Sequence, residues 1–187
     1  MLKFKKLIKK INNYALFLIF RVRIFTRKKM KEISLIVKVG DKILEVGSGG
    51  KNEKGEYYFS AERYFKNKDV EFIKSDIDSE FGHKIVDIVN FNEIEQYDHI
   101  LCFNILEHVF DWQEGFLNLY KSLKKNGVLY IIVPVFYPIH PSPQDYWRFT
   151  EEAFFEFSKR NSMKIEKLEI HGFKKFPFAY YLIIKKL

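Results

Sequence analysis

His140, Asp145 and Arg148 share one short run, Pro138-Ile139-His140-Pro141-Ser142-Pro143-Gln144-Asp145-Tyr146-Trp147-Arg148. Their types suit proton handling beside a polar acceptor. An imidazole changes charge near neutral pH, so it can take the proton of a hydroxyl. Asp145 either joins in removing that proton, holds the His140 ring in one tautomer, or pairs with Arg148. Arg148 in turn orients an acceptor oxygen or the loop itself. Tyr137, Tyr146 and Trp147 offer aromatic surface to a substrate, although Tyr146 and Trp147 would equally serve as core anchors for the loop. His108 either lines a cleft or caps and packs beneath a helix. His83, His99 and His171 have no supporting context and read as structural or surface residues. No Cys/His set has zinc-like spacing, so no metal is expected. No Gly-x-Ser-x-Gly elbow is present.

A second candidate site is Glu45-Val46-Gly47-Ser48-Gly49-Gly50-Lys51. Glycines after a strand let backbone N–H groups approach a ligand. A dinucleotide fingerprint would need glycine at 52, which is Asn52. A Walker A loop would need glycine at 45 and Ser or Thr at 52, and it finds Glu45 and Asn52. Asp76 ends the next apolar run, where a carboxylate can accept from both hydroxyls of a ribose. It lies farther from Gly47 than a dinucleotide site would place it, which an extended loop over 51–57 would explain.

These residues need strand ends to hold them. From residue 39 the chain alternates strand and helix, the pattern of a parallel sheet. Strands are expected at Lys42–Val46, Val70–Ser75, Lys84–Val89, His99–Phe103 and Val128–Val133. Helices are expected within Glu56–Lys66, from Trp112 to Lys124 with Asn126-Gly127 as the stop, and from an N-cap at Thr150 to Arg160. Lys164–Ile170 and Tyr180–Lys186 read as a closing antiparallel pair.

With these elements laid out, a family resemblance emerges. Asp41-Lys42-Ile43-Leu44-Glu45-Val46-Gly47-Ser48-Gly49 resembles motif I of class I S-adenosylmethionine-dependent methyltransferases. Tyr97-Asp98-His99-Ile100-Leu101-Cys102-Phe103-Asn104-Ile105-Leu106-Glu107-His108-Val109 resembles their fourth strand and following turn. Leu123-Lys124-Lys125-Asn126-Gly127-Val128-Leu129 is similar to their segment before strand five. The run from Pro138 to Thr150 resembles a bacterial subgroup of the type 11-like methyltransferases, with a His-x-x-Pro-x-Asp-Tyr-Trp-Arg-Phe-Thr signature often associated with surface-polysaccharide genes. Lys51 departs from the third glycine of the family's loop, and Gln144 from a second histidine of the subgroup.

The resemblance implies a Rossmann-like α/β fold: a seven-stranded, mostly parallel sheet with helices on both faces and an antiparallel last strand. It implies S-adenosylmethionine across the C-terminal strand ends. Glu45, Gly47, Ser48 and Gly49 would shape its methionine side, Asp76 with Ile77 would hold ribose, and Asn90 would face adenine. Phe103 and Asn104 would lie beneath it, with His108 nearby. The implied reaction is O-methylation of a small, glycan or lipid-linked acceptor. A non-catalytic cofactor-binding partner at the membrane and an RNA methyltransferase are the alternatives.

Charge divides the chain at residue 38. Residues 1–38 hold twelve Lys or Arg and one acid, Glu32, for +11, against +8 for the whole chain, so residues 39–187 carry −3. A basic extension (1–38) on a methyltransferase domain (39–187) follows. It argues against a domain-wide nucleic-acid surface. Phe4, Leu7, Ile8, Ile11, Ala15, Leu18, Val22 and Phe25 recur at helical spacing. The apolar run Tyr14–Phe20 is too short to span a membrane, which takes about 20 residues, and no small-residue cleavage site follows it. The segment either packs on the domain as a cap over the cofactor cleft or lies on an anionic membrane surface. One cysteine, Cys102, permits no internal disulfide; the expected location is the cytoplasm, peripheral on the inner face of the membrane.

Overall fold

The computed structural model describes residues 2–51 and 60–187, with side chains described from residue 13 onward in the first stretch. The elements are α1 (Leu2–Ser34), β1 (Lys42–Val46), β2 (Glu71–Asp76), β3 (Lys84–Ile85), β4 (Tyr97–Phe103), α2 (Trp112–Ser122), β5 (Leu123–Pro134), α3 (Glu151–Arg160), β6 (Lys164–Phe173) and β7 (Phe176–Lys185). One seven-stranded sheet runs in the order β3-β2-β1-β4-β5-β7-β6. Strands β1 to β5 pair in parallel, while β7 lies antiparallel between β5 and β6.

Strand alternation sends successive side chains to opposite faces, and two cores result. Leu44, Ile100, Cys102, Leu129, Ile131, Val133 and Leu182 point to the first core, where α2 and α3 add Trp112, Phe116, Leu119, Phe154 and Phe157. Ile43, Leu101, Tyr130, Ile132 and Tyr181 point to the second. That face is covered by α1 through Leu18, Val22, Phe25, Met30 and Ile33, a helical stripe in which each large side chain contributes about 1.5–3 kcal/mol. Lys29, 4% exposed, bonds Glu32 at 2.9 Å and Glu169 of β6 at 2.8 Å, and so ties α1 to the sheet edge. The opposite face of α1 leaves Leu16, Phe17, Phe20 and Ile24 exposed. Among the described residues no helix is long and apolar enough to cross a membrane.

Three expectations need correction. The third strand stops at Ile85, not Val89. Val86 still donates to the Asp76 carbonyl, but the chain then turns away, and Val86 and Ile88 are apolar because they pack into the first core. Helix α2 ends at Ser122. Leu123 already pairs with Tyr97, so Asn126 (φ +65°) and Gly127 shape an irregularity in the β4–β5 pairing and do not stop a helix. Between β1 and β2 the described residues contain a 3₁₀ turn at Glu62–Tyr64 and no α-helix; the 56–59 part of the expected helix lies outside the described residues. The expected Thr150 cap is present, its hydroxyl accepting from the Ala153 N–H at 3.4 Å.

Candidate active site

The turn after β1 is built from internal hydrogen bonds. Gly47 has φ +71°, which strains any L side chain, and a Cβ there would also push the Ile105 side chain aside (2.1 Å to Cδ1). The Ser48 N–H donates to the Ser75 carbonyl at 2.9 Å. Glu45 is buried beneath the turn. Its carboxylate accepts from Ser48 Oγ at 2.8 Å, from the Ala61 N–H at 2.6 Å and from Ser60 Oγ. Burial pushes its carboxyl up while those bonds pull it down, and the net direction is upward. Glu45 therefore ties the turn to the chain that resumes at Ser60.

Asp76 is the last residue of β2. One carboxylate oxygen accepts from the Gly49 N–H at 2.9 Å and the other from the Asp78 N–H at 3.2 Å. Each oxygen keeps a lone pair for a ligand. Ile77 beside it is 63% exposed. His83 Nε2 donates to the Gly49 carbonyl at 2.9 Å and buttresses the turn, a role its sequence context did not signal. Because β3 is short, Asp87 and not Asn90 stands just past its end. Asn90 is exposed and donates to Asp87 Oδ2 at 2.6 Å. The apolar alternation that runs on to Val89 past the strand end conceals this position of Asp87 in the sequence. Phe103 belongs to the second core, and Asn104 sits at φ +56° past the end of β4 with its N–H on the Ile132 carbonyl.

The loops after β4 and β5 meet. The N–H groups of Tyr146 and Trp147 donate to the Glu107 carbonyl at 2.8 and 3.2 Å. Trp147 Nε1 donates to the carbonyls of Val109 and Phe110, so Trp147 anchors the loop, while Tyr146 stays 46% exposed. Asp145, its side chain 1% exposed, receives Arg148 through two nitrogens at 2.6 and 2.8 Å and the His140 N–H at 2.9 Å. The guanidinium bonds hold its carboxyl well below the usual range. Of the alternatives left open for Asp145, the geometry displays the pairing with Arg148 and also brings Asp145 Oδ2 to 3.2 Å from His140 Nδ1. Arg148 also donates to the carbonyls of Pro138 and Trp147.

Three side chains converge where these loops join. His108 Nε2 lies 3.7 Å from Glu107 Oε1, and His140 Nε2 lies 3.8 Å from the same oxygen. Glu107 is fully buried, and neither of its carboxylate oxygens has a hydrogen-bond partner on another residue. Burial pushes its carboxyl up to about 8. Burial also lowers His108. Sequence reading missed Glu107, because an acid in a Leu-Glu-His turn carries no signal that it faces inward. Beside the cluster is a cavity of about 460 Å³, walled by Tyr14, Ala15 and Leu18 of α1, by Val135–Ile139 and by Asp145–Arg148. Tyr137 links the two: it lines the cavity and its ring lies 4.8 Å from that of His140. Arg23 of α1 hydrogen-bonds Tyr137.

A family model described as a methyltransferase domain matches residues 51–129. No curated protein matches the chain. Solved structures share the fold at low identity. The Burkholderia thailandensis 1,6-didemethyltoxoflavin-N1-methyltransferase, bound to 1,6-didemethyltoxoflavin and S-adenosylhomocysteine, is 14% identical with a TM-score of 0.62, over 86% of this chain and 78% of that one. The Haemonchus contortus phosphoethanolamine N-methyltransferase 2, bound to S-adenosyl-L-methionine, is 12% identical with a TM-score of 0.66, over 86% of this chain and 52% of that one. A chain from the Haloferax volcanii complex of a methyltransferase with its Trm112 activator is 10% identical with a TM-score of 0.63, over 95% of this chain and 92% of that one. The matched segment runs from the end of the glycine turn into β5, on a sheet in which an acid, Asp76, closes β2. Residues 51–129 are thus similar to a methyltransferase domain, and the chain shares the fold of S-adenosylmethionine-dependent methyltransferases.

Proposed function

We propose that this protein transfers a methyl group to an oxygen of a small or glycan-type acceptor, lipid-linked acceptors included. Bound S-adenosylmethionine supplies a methyl on a sulfonium, a good leaving group for in-line displacement. The residues present fit it: the glycine turn leaves backbone approachable, and Asp76 keeps lone pairs for a ribose. Glu45 holds that turn in shape. The protein's remaining work is alignment of the acceptor and care of its proton.

One observation carries the reading for oxygen. His140 Nδ1 lies 3.1 Å from the Pro138 carbonyl, which can only accept, so Nδ1 bears the hydrogen and Nε2 keeps its lone pair. Tyr137, against the His140 ring, lines the neighbouring cavity, and that lone pair would draw the proton of a hydroxyl reaching it from there. Asp145 and Arg148 shape the loop around it, while Tyr146 offers its exposed ring to the acceptor. The outer face of α1, with Leu16, Phe17, Phe20 and Ile24 exposed in a strongly basic segment, supports docking on an anionic membrane surface and a lipid-linked acceptor.

Mass spectrometry of cell glycans and lipids, with and without the protein, tests this. Loss of one methyl group from a hydroxyl of a glycan or glycolipid is the expected result. Loss from a nucleic-acid base would replace the acceptor class. Retained cofactor binding with no methyl lost anywhere would leave a non-catalytic binding partner.

A further inference from the structure

We propose that Glu107, His108 and His140 bind a divalent first-row transition metal ion. Their three ligand atoms lie within 4.8 Å of one another. Two imidazole nitrogens and one carboxylate oxygen form a donor set that suits zinc or ferrous iron.

Both histidines are wired for the task. His108 Nδ1 donates to the Gln144 carbonyl at 2.5 Å, and His140 Nδ1 donates to the Pro138 carbonyl at 3.1 Å with Asp145 Oδ2 at 3.2 Å. A histidine ligand characteristically gives its second ring N–H to a carbonyl or carboxylate, which fixes ring and tautomer. Here both rings do so, and both free Nε2 atoms face the same oxygen of Glu107. That carboxylate is the independent pointer. It is 0% exposed and has no partner on another residue, although a buried unpaired carboxylate is costly. Arg148 adds favourable charge nearby but no hydrogen bond, because its guanidinium is engaged by Asp145. Tetrahedral zinc with bonds of about 2.0–2.1 Å places neighbouring ligand atoms about 3.3–3.5 Å apart. The two distances to Glu107, 3.7 and 3.8 Å, need a slight closing, and the set as a whole, within 4.8 Å, closes further as the two rings approach each other.

His140 is 34% exposed and His108 11%, so the site opens on the His140 side, next to the cavity. Resting on the methyl-transfer reading, the open position would take an acceptor oxygen; with the ion bound His140 would be its ligand, and the ion would take over from its Nε2 the task of easing the hydroxyl proton away. Such an ion would fix the acceptor's orientation. Linear spacing hides the site, since His140 lies far along the chain from the Glu107-His108 pair.

The full chain, stripped with chelator, is dialysed against Zn²⁺ and its metal content measured. Co²⁺ substitution then reports the ligands by visible absorption. One equivalent of Zn²⁺ per chain is expected, with affinity reduced at least about 100-fold in Glu107→Gln and in His108→Ala, and altered cobalt bands in both. Circular dichroism and S-adenosylmethionine calorimetry on the same variants show that the fold and the cofactor end persist. Less than half an equivalent bound by the wild type at micromolar Zn²⁺ overturns the proposal, as does binding that Glu107→Gln leaves unchanged. Lost metal with retained cofactor binding removes the metal site alone, whereas metal bound by a protein that ignores S-adenosylmethionine removes the cofactor reading alone.

Discussion

The two ends of the cleft treat their buried carboxylates in opposite ways. At the glycine turn, Glu45 receives Ser48, Ser60 and Ala61, and Asp76 receives Gly49 and Asp78. Where β4 and β5 end, Glu107 receives nothing from another residue while two imidazole lone pairs point at it. A satisfied polar network is rigid and holds one shape. An unsatisfied cluster has bonding capacity left for a ligand or a reacting atom. On the proposed function, the contrast divides labour: the first end would be preformed for binding, the second for chemistry.

The largest expected effect belongs to the second end. His140→Ala should lower the methyl-transfer rate about 10²–10⁴-fold while leaving cofactor affinity nearly unchanged, as single-turnover kinetics with the true acceptor would read. A near-normal rate would reduce His140 to a loop-shaping residue. Equal losses in rate and cofactor affinity would erase the division between the ends.

Asp76→Ala is the mirror test. Removing a charged acceptor from two hydroxyls should weaken S-adenosylmethionine binding by about 2–3 kcal/mol, measured by calorimetry on folded protein. Unchanged affinity would move the ribose contact to Asp78 or Asp87. Glu45→Gln should act on stability more than on chemistry. A carboxamide cannot accept from all the donors grouped there, so a loss of about 1–3 kcal/mol in chemical denaturation is expected. A variant as stable as wild type would mean that the turn does not depend on this carboxylate.

The same contrast explains what was legible in the sequence. The first end is local: Gly47 and Asp76 terminate strands, and apolar alternation marks where strands lie. Thr150 likewise announces its helix through a side chain that acts three residues on. The alternation misled where a loop is buried. Val86 and Ile88 look like strand residues, yet they face α2, whose Gly115 would bring a Cβ to 2.7 Å from Ile88 Cδ1. The second end is non-local. Glu107 is buried by chain far from it in sequence, and His108 meets His140 only because Tyr146 and Trp147 dock on the Glu107 carbonyl. The apolar run at 14–20 demanded burial on some surface, and the fold meets that demand on one helix face only.

The smallest expected effect concerns that remaining face. Helix α1 walls the cavity proposed for the acceptor through Tyr14, Ala15 and Leu18. Its buried stripe, Leu18, Val22 and Phe25, looks inward, whereas Leu16, Phe17, Phe20 and Ile24 look outward. Arg21, Arg23 and Lys28 are exposed along the same helix. An anionic bilayer meeting this surface would gain apolar burial together with about 1 kcal/mol per Lys or Arg near it. The full-length protein should therefore sediment with phosphatidylserine vesicles and come partly free in high salt. Because Phe17 and Phe20 are largely outside the core, Phe17→Ser with Phe20→Ser should cost little stability yet lower vesicle partitioning about tenfold or more. The cavity would then open beside the membrane, and only the acceptor end of the cleft would feel it. A wild-type protein that ignores such vesicles would leave α1 as a packed cap alone. Vesicle binding that persists unchanged in the double variant would assign it to charge without insertion.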